Sequence, residues 1–300
     1  MNGFLIVNKP TGRTSSDAVV FVRKRLPRGT AVGHGGTLDP EASGVLPVCV
    51  GSATRLFDYI IDKQKTYVAR LKLGVETDTQ DATGRVTATC EVHADEDAVR
   101  AILPRCIGEI EQVPPMYSAL KRDGQRLYKL ARRGETVALE PRKCRVDEVE
   151  YLGYEGDDVH LLKIDCGKGV YIRTLCNDIG RALGCGGHMQ TLERTAAGIF
   201  KIEDALTLDE IDRLSRAGTL EQALVPLDAP LGHLPAVRVG ERSRHAVLNG
   251  NPLKAGWLDA PAPQCDAVRV YLGDVFAGIG QPQSDGGVRF KAMLYREMEP

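Results

Sequence analysis

The 300-residue sequence lacks the long apolar runs and paired cysteines that identify several protein classes. No stretch approaches the roughly 18 consecutive apolar residues of a membrane span, so no transmembrane helix is expected. The short apolar run at the N-terminus has no basic segment before it and no small-residue cleavage site after it. It therefore predicts a buried strand of a cytoplasmic protein, not a signal peptide. The eight cysteines never occur at C-x-x-C spacing, which argues against zinc ribbons and thioredoxin-type redox sites.

Cofactor-binding motifs are also missing. The sequence contains neither the P-loop pattern nor the G-x-G-x-x-G fingerprint of dinucleotide sites, and it has no H-E-x-x-H or G-x-S-x-G. The six histidines are scattered without ligand spacing. We therefore expect no cofactor and no metal, and a reaction that runs on side chains alone.

The chain has almost no net charge, with a formal value of −1, but its charges are unevenly distributed. Residues 118–145 carry nine basic and three acidic side chains, and residues 1–30 carry six basic and one acidic side chain. Local fields of this kind attract a polyanion even when the total charge is near zero. A charge run is also common on an ordinary solvated surface, so this pattern alone leaves both interpretations open.

The length of the chain and a proline-rich break in its sequence predict two domains. A proline-rich stretch without periodicity, residues 226–235, reads as a linker, and the short β-like runs after it predict a small all-β barrel. In the first domain, apolar runs or alternation predict strands over 43–50, 65–73, 159–166 and 170–174. Helices are predicted over 18–26, 95–106 and 178–183.

A glycine-rich loop at residues 32–51 is the segment that points most strongly to a reactive site, VGHGGTLDPEASGVLPVCVG. Proline restricts the residue before it, so Pro40 biases the backbone of Asp39 and holds its carboxylate in one direction. An isolated Asp-Pro pair more often only starts a turn. The surrounding motifs are needed to decide between these two interpretations.

Five segments in order resemble the TruB family of tRNA pseudouridine synthases, over about residues 3–228. The segment HGGTLDPEASGVLP is similar to the family's catalytic motif, and NKPTGRTSSDAV to its opening lysine-proline motif. A segment similar to the family's tyrosine motif follows, KTYVARLKLGVETDTQDATG. The next segment resembles the arm that grips RNA, PPMYSALKRDGQRLYKLARRGE. GKGVYIRTLCNDIGRALGCGGHMQTLERTAAGIF resembles the arginine and leucine motifs.

The resemblance implies roles for particular residues. Asp39 matches the catalytic aspartate, Tyr67 the tyrosine that stacks on the target base, and Arg173 the arginine that pairs with the aspartate. Leu192 matches a leucine beneath the base, and His34 a histidine that contacts the T-loop.

Further residues match supporting positions of the family. Lys9 and Pro10 match a motif that supports the active-site loop. Within the basic arm, the residues expected to contact RNA are Lys121, Arg132 and Arg133. One departure follows Leu192, where Glu193-Arg194 replaces two basic residues that are common in relatives; it bears on one phosphate contact.

The implied fold is α+β: a pseudouridine synthase domain at 1–228, with a central, mostly antiparallel mixed sheet and flanking helices. The RNA-gripping insertion would occupy about 118–145, and a small all-β PUA-like RNA-binding domain 236–298. The implied substrate is the T-loop uridine at position 55 of tRNA, held through the T-arm and elbow. We expect a monomer with no membrane association and no obligate protein partner.

The expected reaction breaks the N1–C1′ bond of a flipped uridine and joins C5 to C1′. Asp39 could attack the sugar, attack the base or remove a C2′ proton. Three alternatives are a module that mainly binds or folds RNA, a glycosidase-like hydrolase and a guide-RNA-dependent synthase. A glycosidase usually needs a second carboxylate, which the motifs do not show. A guide-dependent enzyme normally has basic extensions that this chain lacks.

Overall fold

A computed structural model describes residues 1–60, 64–115, 117, 121–122, 125–126, 133, 137 and 139–295. None of the helices in these residues combines the length and apolar character that a membrane span needs. The α-helices are α1 (Ser15–Arg23), α2 (Phe57–Ile60), α3 (Glu96–Ile102), α4 (Ile172–Ala182), α5 (Leu208–Arg216) and α6 (Arg244–Leu248). The strands are β1 (Gly3–Lys9), β2 (Val32–His34), β3 (Ser43–Val50), β4 (Lys65–Leu73), β5 (Val75–Thr77), β6 (Val86–Thr89), β7 (Gly108–Gln112), β8 (Lys121–Arg122), β9 (Gln125–Arg126), β10 (Arg142–Tyr154), β11 (Val159–Cys166), β12 (Gly187–Ala197), β13 (Phe200–Lys201), β14 (Ala236–Val239), β15 (Val268–Leu272), β16 (Val275–Pro282) and β17 (Val288–Met293).

A large sheet forms the centre of the molecule, in the order β1-β3-β12-β4-β11-β10-β7. β2 also pairs with β3, and β13 with β12. The β3–β12 pair is parallel, whereas the other pairs in this sheet are antiparallel. The predicted α+β class with a mostly antiparallel mixed sheet is therefore confirmed.

β4 lies between β12 and β11 and follows the alternation seen in the sequence. Tyr67, Ala69, Leu71 and Leu73 are all buried on one face, as expected for a strand of period two. Their side chains share a hydrophobic core with residues of α1 and α4. Tyr67 thus lies in the middle of the sheet, paired with β11 on one side and with β12 on the other.

The predicted strand over 170–174 is wrong, because Arg173 lies in the first turn of α4. Ile172, Leu175 and Ile179 are buried at helical spacing, and this periodicity outweighs the β-like composition of the first residues. The helix expected at 178–183 is the C-terminal part of α4. Arg173 therefore projects from a helix and not from the sheet.

α1 begins earlier than the predicted residue 18. Thr14 caps the helix, and Asp17 completes a capping box by bonding back to Thr14. Ser15 therefore lies in the first helical turn, buried and facing the loop that contains Asp39.

The chain after residue 235 forms a second sheet in the order β14-β15-β16-β17, with the β14–β15 pair parallel. This confirms the β-rich C-terminal unit. One hydrophobic cluster joins the two parts, because Ile279 and Leu294 pack with Phe4, Val45 and Leu56. Tyr271 also donates a hydrogen bond to Asp228, at 2.8 Å.

Candidate active site

Asp39 lies in the loop between β2 and β3, and Arg173 reaches it from α4. Nε of Arg173 is 3.0 Å from Oδ2 of Asp39. The arginine side chain is 5% exposed, whereas the aspartate side chain is 40% exposed. The carboxylate therefore has a buried cation on one side and an open side available to a ligand.

The guanidinium of Arg173 is fixed by further contacts. Nη1 is 3.5 Å from Oδ2 of Asp81, and it donates to the carbonyl of Thr79 at 3.2 Å. Nη2 donates to the carbonyl of Tyr117 at 2.8 Å. Two carboxylates thus share one buried cation, which fixes the direction from which Asp39 is held.

Asp81 is itself held in place. Its Oδ1 accepts hydrogen bonds from the hydroxyls of Thr79 at 2.7 Å and Thr83 at 2.6 Å, and from the Thr83 N–H at 3.0 Å. The TDTQDATG segment therefore supplies a carboxylate to the site besides its preceding tyrosine. Sequence reasoning missed Asp81; its signal was this cluster of short polar side chains.

The other base-facing candidates lie on the strands beside Asp39. Tyr67 and Leu192 belong to the same buried core on β4 and β12, and His34 is half-buried at the end of β2. Burial raises the pKa of Tyr67, with a smaller opposing effect from Arg194 and a raising effect from Asp39. Tyr67 is therefore a neutral phenol beside the carboxylate, suited to ring contact more than to proton abstraction.

Lys9 and Ser15 hold the loop that contains Asp39 from its buried side. The fully buried Lys9 ammonium donates to the carbonyls of Pro10 at 2.8 Å, Arg13 at 2.6 Å and Pro40 at 3.1 Å. Ser15 Oγ donates to the Leu38 carbonyl at 3.0 Å and accepts from the Leu38 N–H at 2.8 Å. The residues on both sides of Asp39 are therefore fixed from the protein interior.

The RNA-arm candidates are only partly described. The backbone of Lys121 lies in β8, which pairs with β9. Arg133 is exposed and donates to Gln125 at 2.7 Å. The Lys121 side chain and all of Arg132 lie outside the described residues. Within the described ranges, no group of three or more His, Cys, Asp or Glu side chains is arranged to hold a metal.

Family comparison decides between the interpretations of this site. The sequence model for "TruB family pseudouridylate synthase (N terminal domain)" matches residues 24–172, and that for "tRNA pseudouridylate synthase B C-terminal domain" matches residues 173–232. The chain belongs to the TruB family of pseudouridylate synthases. It is therefore an isomerase that makes pseudouridine, which excludes the glycosidase-like alternative.

Full-length relatives agree with this assignment. The chain is 42% identical over 297 residues to tRNA pseudouridine synthase B of Aromatoleum aromaticum, covering 98% of this chain and 93% of the relative. It is 44% identical over 290 residues to the protein of the same name from Dechloromonas aromatica, covering 95% of this chain and 93% of the relative.

A solved structure supports the fold. "Structure of H/ACA RNP bound to a substrate RNA containing 2'-deoxyuridine" contains a chain that is 27% identical to this TruB-family protein, with a TM-score of 0.73. The match covers 98% of this chain and 85% of the other. The identity to this chain is lower than that of the two relatives above.

Proposed function

We propose that this protein converts the T-loop uridine at position 55 of tRNA to pseudouridine, with Asp39 as the catalytic carboxylate. The observation that carries the proposal is the 3.0 Å ion pair between the half-exposed Asp39 and the buried Arg173. The names of the relatives at 42–44% identity support tRNA as the substrate. Mapping pseudouridine in tRNA incubated with the purified protein tests the proposal: a single new pseudouridine at position 55 is expected.

The reaction needs no redox change and no loss of atoms. The N1–C1′ bond breaks, the uracil turns, C5 joins C1′, and the proton on C5 leaves while N1 gains one. Attack on the sugar, attack on the base and removal of a C2′ proton all require an ionised carboxylate in a fixed position. Arg173 supplies the fixed position, because its contacts with Asp81 and two carbonyls set the direction from which it holds the Asp39 carboxylate.

The target base must leave its stack to reach Asp39, because the T-loop is folded. We assign the receiving surface to Tyr67 and Leu192, which lie on adjacent strands, and the entrance to His34. Stacking on an aromatic ring contributes about 1–3 kcal/mol per base. The buried neutral phenol of Tyr67 is consistent with this role.

Affinity would come from surfaces outside the site. We assign a phosphate grip to the basic arm at about 118–145, with Lys121, Arg132 and Arg133 as its contacts. We divide the chain into a catalytic domain at 1–228 and an RNA-binding domain at 236–298; the change of sheet after residue 235 supports this division. The protein would act on the T-arm and elbow as a monomer.

Replacing Arg132 and Arg133 together with alanine is expected to weaken tRNA binding and flatten its dependence on salt. Each phosphate contact that is lost should reduce the slope of log K against log[salt] by about one unit or somewhat less. The rate at saturating tRNA should change less than the affinity, because the proposal assigns both arginines to binding and assigns the chemistry to Asp39 and Arg173. Filter binding over a salt series measures both quantities.

A matched control for the arm is Arg216→Ala, which removes an exposed arginine on α5 that pairs with Asp212. This variant should keep the wild-type slope. An unchanged slope and affinity in the Arg132/Arg133 double variant would contradict a phosphate grip by these arginines.

Lys9 predicts a loss of rate above about pH 8. Burial lowers the pKa of Lys9 from 10.5 to about 8. The ammonium has three N–H donors for its three carbonyl acceptors, whereas the neutral amine has two. Support for the Asp39 loop should therefore weaken as pH rises through 8. Single-turnover rates measured from about pH 7 to 9.5 test this expectation.

The effect of Lys9 on stability has the opposite sign. Between pH 8 and 10.5 the unfolded chain binds the lysine proton more strongly than the folded protein does, so this group makes the free energy of unfolding rise with pH.

Lys9→Met is the control for the pH dependence of the rate, because it removes the titrating group and leaves uridine ionisation unchanged. An identical pH profile in this variant would show that Lys9 is not the cause.

A further inference from the structure

We propose that Arg194 is a positioning residue of the reaction, which fixes the Asp39 loop and Tyr67 relative to each other. The inference rests on the proposed role of Asp39. The Arg194 side chain is buried at 1% exposure. Its Nε donates to the carbonyl of Val45 at 2.7 Å, Nη2 to that of Gly36 at 3.3 Å and Nη1 to that of Thr37 at 3.4 Å.

These acceptors bracket the loop. Gly36 and Thr37 precede Asp39, and Val45 follows it at the start of β3. One planar guanidinium therefore fixes the entry and the exit of the segment that presents the carboxylate. A guanidinium can do this because its donors point in several directions from a rigid plane.

The position of Arg194 in the sheet couples the loop to the proposed base-stacking residue. On β12, Arg194 lies opposite Tyr67 of β4 and opposite Gly44 of β3. The positive charge of Arg194 acts on the Tyr67 phenol and lowers its pKa, against the larger raising effect of burial. A Cβ on Gly44 would lie 2.2 Å from the Arg194 carbonyl oxygen, so the two strands approach closely only because residue 44 is glycine.

The guanidinium of Arg194 faces the protein interior and not the surface. The side chain is too deeply buried to meet an RNA phosphate, in contrast to the surface role that a basic pair after Leu192 suggests. In the described part of the chain, its hydrogen-bond acceptors are main-chain carbonyls. A buried cation without a carboxylate partner costs free energy of folding, which indicates that its position serves the site and not stability alone.

A small movement of the loop would matter, because a 1 Å misplacement of a reacting group can cost about 100-fold in rate. Lysine keeps the charge but carries its donors on one nitrogen, so it loses the separate Nε and Nη contacts to the Val45 side and the 36–37 side. Methionine keeps much of the volume and removes all donors. The two replacements therefore separate charge from the forked geometry.

The experiment measures the single-turnover rate at saturating tRNA and, separately, the Kd for tRNA. Arg194→Lys should slow the rate by about tenfold or more, and Arg194→Met by about 100-fold. The Kd should stay within about threefold, since the side chain does not reach the surface. Val270→Ala, in the buried core of the second sheet, is the stability control: it should lower the melting temperature and leave the rate unchanged.

The outcomes separate this inference from the proposed function. If Asp39→Asn is inactive and folded Arg194→Lys reacts within twofold of the wild-type rate, Arg194 does not position the site. A rate loss in Val270→Ala as large as that in Arg194→Lys, at equal loss of stability, would also overturn it. Activity in Asp39→Asn would instead refute the assignment of Asp39. If Arg194→Met does not fold, the lysine variant decides the result.

Discussion

Replacing Asp39 with asparagine is expected to abolish pseudouridine formation while tRNA binding stays within about tenfold of the wild type. The amide has almost the same shape as the carboxylate but cannot attack carbon or accept a proton as a carboxylate does. The proposal assigns affinity to phosphate contacts elsewhere on the protein, so the affinity should be largely kept. Product formation under multiple turnover and filter binding of tRNA measure the two effects.

The matched control is Asp17→Asn, which changes an exposed acid whose carboxylate accepts hydrogen bonds from the N–H and hydroxyl of Thr14 in the cap of α1. It should lose some stability and keep its rate. Multiple-turnover product formation by Asp39→Asn would remove Asp39 from the catalytic role.

Arg173→Lys is expected to lower the single-turnover rate by a factor on the order of 100 or more. The guanidinium meets Asp39, Asp81 and two carbonyls in one plane, whereas a single ammonium cannot meet them all. The Asp39 carboxylate would keep a nearby positive charge but lose its fixed direction. Rapid-quench measurement at saturating tRNA gives the rate, and a binding titration should show nearly unchanged affinity.

Arg181→Lys provides a control on the same helix. Arg181 is mostly exposed and pairs with Glu76 at 2.9 Å, away from Asp39, so its replacement should leave the rate unchanged. A rate loss of less than about threefold in Arg173→Lys would show that ion-pair geometry is not needed for the chemistry.

The sequence allowed the parts of the fold with strong local periodicity to be predicted. β3 and β4 occupy their expected residues, because their buried alternation and apolar runs are unambiguous. The start of α4 was missed because Val170, Tyr171 and Ile172 have strand-like composition. Only the spacing of the next apolar residues shows that the helix has begun.

The site could be anticipated only in part, for a physical reason. The resemblance pointed to Asp39 and Arg173, and the structure places their side chains 3.0 Å apart. Asp81 was missed although the cluster of short polar side chains around it is visible in the sequence. Arg194 gave no local signal, since its partners are distant in sequence and meet it only in the folded sheet. In the sequence, Arg194 was noticed only as part of the Glu193-Arg194 pair that departs from two basic residues in relatives, whereas its contacts are with the interior face of the loop.

Release of tritium from tRNA labelled at C5 of its uridines tests the central claim most directly, because C5 loses its hydrogen when it joins C1′. The account predicts about one equivalent of tritium released per tRNA by the wild-type protein. It predicts no release from a transcript with cytidine at position 55, and none with Asp39→Asn. Equal tritium release from the cytidine-55 transcript, or no release from the tRNA with uridine at position 55, would contradict it.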